Sequence, residues 1–189
     1  MIAGVVLAAG QGRRFGADKR QARLADGRSL LEASLAVFAG RFPELAAVLG
    51  DGDDFGLAVC ARLGVRPLSC RLNRAGIGHS LACGAAWALA LPDCEGLVLG
   101  LADMPLVRPH TVSQLASALR HGRPVLPCHQ GRPGHPRGLP ASCLSSLLDF
   151  DGDVGARDVV DWDQALRLEL DDPGVLLDVD TPEDLLRLG

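Results

Sequence analysis

Residues 7–19, LAAGQGRRFGADK, place three glycines and three basic side chains directly after an apolar run. Glycines let the backbone approach an anion closely, and successive peptide N–H groups can then point at it. Arg14 and Lys19 add positive charge to the same loop. This composition predicts a phosphate-binding loop, because a solvated basic turn would not require the glycines.

The spacing of the glycines distinguishes the known types of phosphate-binding loop. A dinucleotide-binding turn reads GxGxxG, and here Gly10 and Gly12 fit but Phe15 fills the third position. A P-loop reads GxxxxGK followed by Ser or Thr, which the interval from Gly10 to Gly16 does not match. A nucleotidyl-transfer loop instead neutralises a triphosphate while an acceptor phosphate attacks its α-phosphorus. The dinucleotide alternative stays open, because Asp51 follows the second predicted strand as a ribose-binding acid would.

Acidic residues follow two further extended segments. Asp103 ends the apolar run of GLVLGLADMP, and Asp180 precedes the Thr-Pro of LLDVDTPEDL. Carboxylate, water and phosphate oxygens are the ligands that Mg²⁺ prefers. Asp178 lies two residues before Asp180 in an extended segment, so both side chains would point to the same face. We favour Asp180 as the second metal ligand. Each of these acids could instead serve only in a turn or a helix cap. If they bind a ligand, Asp103 and Asp180 predict a Mg²⁺ site.

The glycine loop resembles the signature LAAGxSxRMGxxK of the MobA-like nucleotidyltransferases, especially the molybdenum cofactor cytidylyltransferases. Gly12 replaces the usual Ser and Phe15 the usual Met. The resemblance continues in family order through nearly the whole chain. Its further segments are AGIGHSLACG (75–84), LGLADMPLV (99–107), GHP (134–136), GDVGAR (152–157) and DVDTPEDL (178–185).

The resemblance implies a role for each matched position. The catalytic residues would be Arg14, Lys19 and Asp103, and the metal ligands Asp103 and Asp180. The nucleotide would be bound by Leu7, Ala8, Ala9, Gly10, Gly12, Arg14, Lys19, Gly78 and Ser80. The acceptor would be bound by Gly134, His135, Asp153 and Arg157, where a pterin phosphate would dock.

The implied reaction transfers CMP from CTP to molybdopterin or its molybdenum form, with Mg²⁺ as cofactor and release of pyrophosphate. CTP is preferred because the loop reads LAAG, whereas guanylyltransferases of the family usually read LAGG; Ala9 is therefore the expected selector. The alternatives are GTP as donor, another phosphorylated acceptor, an NAD(P)-dependent oxidoreductase on the same scaffold, and a non-catalytic delivery module. A molybdoenzyme or its chaperone is a possible partner.

Composition limits the other classes of function. The 189 residues carry a net charge of −4, so no excess of positive charge recruits nucleic acid or an anionic membrane. No apolar stretch reaches the roughly 20 residues that span a bilayer. The six cysteines form no CxxC pair, which favours reduced thiols and a cytoplasmic protein.

The elements that must position these residues alternate between strands and helices. Apolar runs near residues 2–9, 44–51, 65–70, 96–105, 123–128, 166–170 and 175–179 predict strands. The segment 128–138, CHQGRPGHPRG, is too rich in Gly and Pro for a central strand. The pattern predicts one α/β domain over 1–189, Rossmann-like, with three α/β/α layers and a mostly parallel sheet. Residues up to about 105 would bind the nucleotide, and residues 106–189 the acceptor.

Overall fold

A computed structural model of the chain describes residues 1–10, 15, 17–71, 76–149, 156–158 and 160–186. The strands are β1 (Ile2–Leu7), β2 (Leu45–Gly50), β3 (Arg66–Cys70), β4 (Gly96–Leu101), β5 (Val125–His129), β6 (Arg132–Pro133), β7 (Arg137–Pro140) and β8 (Leu166–Glu169). The α-helices are α1 (Leu30–Phe38), α2 (Asp54–Leu63), α3 (Ile77–Leu89), α4 (Pro109–Ala118), α5 (Ala141–Leu144) and α6 (Pro182–Leu186). Among these residues no helix has the length and apolar character needed to cross a bilayer.

The strands form one sheet in the order β3-β2-β1-β4-β7-β5-β6, with β8 paired to β5. Only β6 and β7 run against the others among the described strands. The prediction of a mostly parallel sheet in an α/β fold is therefore confirmed. Because β1, β2, β3, β4, β5 and β8 share one direction, their carboxyl ends lie at the same edge of the sheet, where α/β proteins bind ligands.

Helices cover both faces of this sheet. Val6 of β1 packs in a core cluster with residues of α1, α2 and α4. Val5, its neighbour, points to the opposite face and packs in a cluster with α3 and α5. All-apolar strands are expected when a sheet is buried on both sides, so the continuous run in β1 is explained by the three-layer arrangement.

Helix α1 illustrates how local sequence and tertiary packing agree. Ser29 and Glu32 form a capping box, with each side chain bonded to the other residue's backbone N–H. At the other end of α1, the ring of Phe38 lies against Gly100, where a Cβ atom would overlap it. Glycine at this position lets α1 lie close to the end of β4, three residues before Asp103.

Two predictions about strands are wrong. Residues 137–140 form β7, which lies between β4 and β5, whereas the Gly and Pro content of 128–138 predicts no central strand there. Pro136 precedes β7 and Pro140 ends it, so the residues between keep their N–H groups for the ladder. Residues 175–179 form no strand; Asp172 caps a 3-10 helix, Pro173–Leu176, by accepting from Gly174 N at 3.0 Å.

Candidate functional site

A lysine and two carboxylates meet at the carboxyl edge of the sheet. Lys19 Nζ donates to Asp103 Oδ2 at 2.8 Å, to Asp180 Oδ1 at 3.0 Å and to the carbonyl of Val179 at 2.9 Å. Asp103 follows β4, Lys19 opens a short 3-10 helix (Lys19–Gln21) and Asp180 precedes α6. Residues separated by up to 161 positions in the chain thus form one cluster.

The turn that carries Asp180 is fixed from both sides. Val179 N donates to the carbonyl of Asp103 at 2.9 Å, which ties the turn to the end of β4. Asp184 Oδ2 accepts from Thr181 N at 2.9 Å, and Asp184 N donates to Thr181 Oγ1 at 3.3 Å. This reciprocal cap confirms that DTPED starts a helix, and it also holds Asp180 toward Lys19. Asp178, by contrast, is exposed.

The cluster is partly shielded from water. The side chain of Lys19 is 14% exposed and that of Asp103 is 21% exposed. Burial alone lowers the pKa of Lys19, but the hydrogen bonds and charges of Asp103 and Asp180 outweigh it and hold the pKa above the ordinary value for lysine. Lys19 is therefore a permanent cation at any working pH.

Asp103 retains a ligand atom for a cation. Its Oδ1 is buried and makes no hydrogen bond with any described residue, while Oδ2 is held by Lys19. Within the described residues no three His, Cys, Asp or Glu side chains cluster as a metal site. Two carboxylates completed by phosphate oxygens and water suit Mg²⁺ or Mn²⁺, which take oxygen ligands and keep several waters, better than Zn²⁺.

A second arginine, which sequence reasoning missed, closes the glycine loop. Arg20 Nη1 donates to the carbonyl of Ala8 at 2.9 Å, just before the loop, and its Nη2 to Asp18 Oδ2 at 2.8 Å, just after it. Nη1 also bonds Asp53, whose other carboxylate oxygen caps α2 by accepting from Gly56 N at 2.9 Å. Burial lowers the Arg20 pKa, but Asp18 and Asp53 more than offset it and raise the pKa. One guanidinium therefore clamps both ends of the loop.

The residues expected to frame the nucleotide continue β1. Leu7, Ala8 and Ala9 are buried, and their peptides extend the ladder through Ala8 N to the Val48 carbonyl at 2.9 Å and Ala102 N to the Leu7 carbonyl at 3.1 Å. Gly10 is exposed, and a Cβ there would meet nothing within 4 Å. The surface open to a ligand begins at Gly10.

Some of the predicted nucleotide-binding residues are placed only in part. Gly12 and Arg14 lie outside the described residues. Gly78 and Ser80 are buried in the first turn of α3, which starts after Gly76 with φ at 135°. Because α3 follows β3, its N-terminus lies at the same edge of the sheet as Asp103.

The acceptor-side residues predicted from GHP are held by backbone contacts. Gly134 N donates to the Pro127 carbonyl at 2.9 Å, and a Cβ on Gly134 would overlap the carbonyl of Val175. His135 N donates to the same Val175 carbonyl at 2.9 Å. Burial, with the charge of Arg137, lowers the pKa of His135 to about 3, so its imidazole is neutral. It can donate one hydrogen bond to a phosphate but no charge.

Trp162, which sequence reasoning did not single out, lies between Arg137, the residue after GHP, and Ala156. The guanidinium carbon of Arg137 lies 4.7 Å from the centroid of the Trp162 ring. Trp162 Nε1 donates to the carbonyl of Ala156 at 3.1 Å, in the 3-10 turn Ala156–Asp158 that contains Arg157. Asp153 lies outside the described residues. Trp162 thus contacts both Arg137, which follows GHP, and Ala156, a described residue of the GDVGAR segment.

Composition also carried a signal for Lys19. It is the only lysine in the sequence, although the chain has 19 basic residues. The ammonium group is a compact point charge with three donors, whereas guanidinium is a planar fork. Lys19 Nζ donates to acceptors on three different residues, Asp103, Val179 and Asp180. The single lysine of the chain thus lies where three separate acceptors converge on one donor atom.

Together, the carboxyl edge of the parallel sheet, the two ends of the glycine loop joined by Arg20 and the lysine–carboxylate cluster form the candidate site of an α/β protein. Residues 4–168 match the MobA-like NTP transferase domain. The chain belongs to this family.

Similar proteins carry more than one activity in their names. The nicotine blue oxidoreductase of Paenarthrobacter nicotinovorans is 30% identical to this chain. The match covers 99% of this chain and 96% of the oxidoreductase. The molybdenum cofactor guanylyltransferase of Mesorhizobium japonicum is 32% identical over 85% of this chain and 77% of its own. The molybdenum cofactor cytidylyltransferase of Escherichia coli is 29% identical over about half of each chain, 52% and 51%.

A solved structure also matches nearly completely. The manganese complex of Rv0371c from Mycobacterium tuberculosis is 29% identical, with a TM-score of 0.73, over 99% of this chain and 97% of that one. A divalent cation is therefore present in a structure of a similar protein.

Proposed function

We propose that this protein transfers CMP from CTP to the phosphate of molybdopterin or its molybdenum form and releases pyrophosphate. The observation that carries the proposal is the convergence of Lys19, Asp103 and Asp180 beside the glycine loop. Family membership supports nucleotidyl transfer, and the names of two relatives support the type of acceptor.

Each part of the site would have a separate task in this reaction. The backbone from Gly10 onward, with Gly12 and Arg14, would receive the triphosphate, and Lys19 would neutralise charge on it. Asp103 and Asp180 would hold Mg²⁺ or Mn²⁺, which would supply positive charge to offset that of the phosphates. Arg20 would keep the loop ends in place, so that the acceptor phosphate attacks in line with the leaving pyrophosphate.

The acceptor would occupy the second half of the chain, about residues 106–189. Gly134 and His135 would shape the pterin side of the cleft, with Asp153 and Arg157 from the neighbouring segment. Since the imidazole of His135 is neutral, the positive charge for the acceptor phosphate would come from Arg157. A molybdoenzyme or its chaperone would then receive the product.

The choice of CTP rests on Ala9. Ala9 lies two residues after β1, is 5% exposed and directly precedes Gly10, where the exposed surface begins; we place the base beside its methyl group. The guanylyltransferase is 32% identical to this chain and the cytidylyltransferase 29%. Overall sequence identity therefore favours neither guanine nor cytosine. An Ala9→Gly variant should gain activity with GTP relative to CTP, if crowding by this methyl group selects the base.

The test is release of pyrophosphate with CTP, GTP, ATP or UTP in turn, with Mg²⁺ or Mn²⁺, in the presence and absence of molybdopterin. CTP should give acceptor-dependent release, and Asp103→Asn should abolish it. Asp178→Asn is the matched control, because this carboxylate is exposed and apart from Lys19. If no nucleotide gives pyrophosphate, nucleotidyl transfer to this acceptor is refuted. If GTP alone gives pyrophosphate, the donor is GTP and not CTP.

A second candidate function is NAD(P)H-dependent reduction of an oxidised aromatic substrate. The observation that favours it is the 30% identity to nicotine blue oxidoreductase over nearly the whole of both chains. A fall in the absorbance of NADH or NADPH on addition of nicotine blue would support this second function. If NAD(P)H-dependent reduction persists in Asp103→Asn and needs no divalent cation, the site carries out reduction instead of nucleotidyl transfer.

A further inference from the structure

Strand β8 pairs with β5 along one edge, and no other strand of the described residues pairs with it. Val125 of β5 pairs with Gly138 of β7 and also with Leu166 of β8, so β7 and β8 occupy opposite edges of β5. In the part of the chain that the structure describes, no strand pairs with the outer edge of β8. An unpaired edge presents backbone donors and acceptors that can pair with another strand.

The hydrogen bonds of β8 show which residues face outward. Leu166 N donates to the Pro124 carbonyl at 2.7 Å, and Leu170 N donates to the Cys128 carbonyl at 2.8 Å. Backbone groups of successive residues in a strand point to alternate edges, so the groups of Arg167 and Glu169 point away from β5. The outer edge therefore offers the N–H and the carbonyl of these two residues.

We propose that β8 pairs antiparallel with β8 of a second copy of this chain, about a two-fold axis through Leu168. In this register Arg167 lies opposite Glu169 of the second copy, and Glu169 lies opposite its Arg167. These are the residues whose backbone groups face outward, so each pair exchanges both of its hydrogen bonds. A two-fold interface must be self-complementary, and this register satisfies that condition.

The side chains fit the same register. Arg167 and Glu169 are both exposed and carry opposite charges, so each cross-strand pair is an ion pair. The Glu169 carboxylate accepts from Gly131 N, in the turn between β5 and β6, at 3.2 Å, and it keeps lone pairs for an arginine. Leu168 packs partly buried against the core beneath α4, and the two copies of Leu168 would meet at the axis.

The surface beside β8 also fits a second copy. A groove of about 530 Å³ separates β8 from α4 and its continuation to His121, and five polar residues line its helical side. A two-fold axis perpendicular to the sheet keeps both α4 helices on one face, so the two grooves become continuous. The polar groove would form the rim around the paired strands.

Charge order favours a second copy over a foreign strand. An edge that only has to avoid pairing carries like charges, or a proline, which would repel or block its own copy. In Arg167-Leu168-Glu169, antiparallel pairing with a second copy places each arginine opposite a glutamate, so the segment is complementary in charge to its own copy. A foreign strand would need no such property.

The test is sedimentation equilibrium of the full chain over a wide range of concentration. The unmodified protein should dimerise. Arg167→Glu and Glu169→Arg should each weaken the dimer about tenfold or more, because attraction becomes repulsion at two symmetric pairs. The double variant Arg167→Glu, Glu169→Arg restores opposite charges and should return the dissociation constant to near its original value.

Two further variants separate pairing from a loss of folding. Arg167→Pro removes an outward N–H while leaving the bonds of β8 to β5, and it should abolish the dimer without changing the circular dichroism. Arg132→Glu makes the same charge change at an exposed position of β6 and should leave the dimer intact. A protein that is monomeric throughout, or a dimer that resists both Arg167→Pro and the single charge reversals, would overturn the proposal.

Discussion

Acid should destabilise this protein through His135. The folded state holds its pKa at about 3, against an ordinary value of 6.5. Between these pH values the unfolded chain binds a proton that the folded chain does not. The free energy of unfolding is therefore fully maintained above pH 6.5 and falls as the pH drops toward 3, since stability rises with pH wherever the unfolded state binds more protons.

The size of the effect follows from these two pKa values. Each pH unit in this window removes about 1.4 kcal/mol per group. From pH 7 to pH 5, His135 titrates almost completely in the unfolded state and stays neutral in the folded state. The free energy of unfolding should consequently fall by about 2 kcal/mol from this residue alone.

Urea unfolding at pH 7 and pH 5 measures this contribution. His135→Gln removes the titrating group, so the variant should lose about 2 kcal/mol less than the unmodified protein over the same interval. The comparison uses the change with pH, so a loss of packing in the variant does not affect it. His121→Gln is the control, because His121 is exposed. Equal losses for His135→Gln and the unmodified protein would refute a neutral imidazole at His135 in the folded state.

Three further predictions concern the site and its support. Lys19→Arg should lower kcat for nucleotidyl transfer by about 10² to 10³, because a fork replaces the ammonium that contacts three acceptors; activity close to the original would contradict this geometry. Arg20→Gln should destabilise folding by about 3 kcal/mol and weaken NTP binding in calorimetry, whereas Arg62→Gln, which breaks an exposed pair with Glu32, should do neither. Gly134→Ala should cost about 3 kcal/mol in urea unfolding because its Cβ overlaps the Val175 carbonyl, and Gly10→Ala, where a Cβ meets nothing, should leave stability unchanged.

The sequence determined the fold class and the order of most elements. The continuous apolar run of β1 predicts a strand buried on both faces, and Ser29 with Glu32 predicts the start of α1. These features are local, so propensity and periodicity are enough to find them. The Gly- and Pro-rich segment misled the prediction at β7, because the positions of its prolines relative to the ladder decide whether a strand can form.

The sequence also supplied Lys19, Asp103 and Asp180 as separate candidates with plausible local alternatives. Only the tertiary structure decided that they meet, and that Asp180 rather than Asp178 contacts Lys19. It alone revealed Arg20, whose partners Ala8 and Asp53 lie 12 and 33 positions away. The physical reason is that contacts of this kind depend on how strands and loops are brought to one edge of the sheet, and spacing along the chain does not record that arrangement.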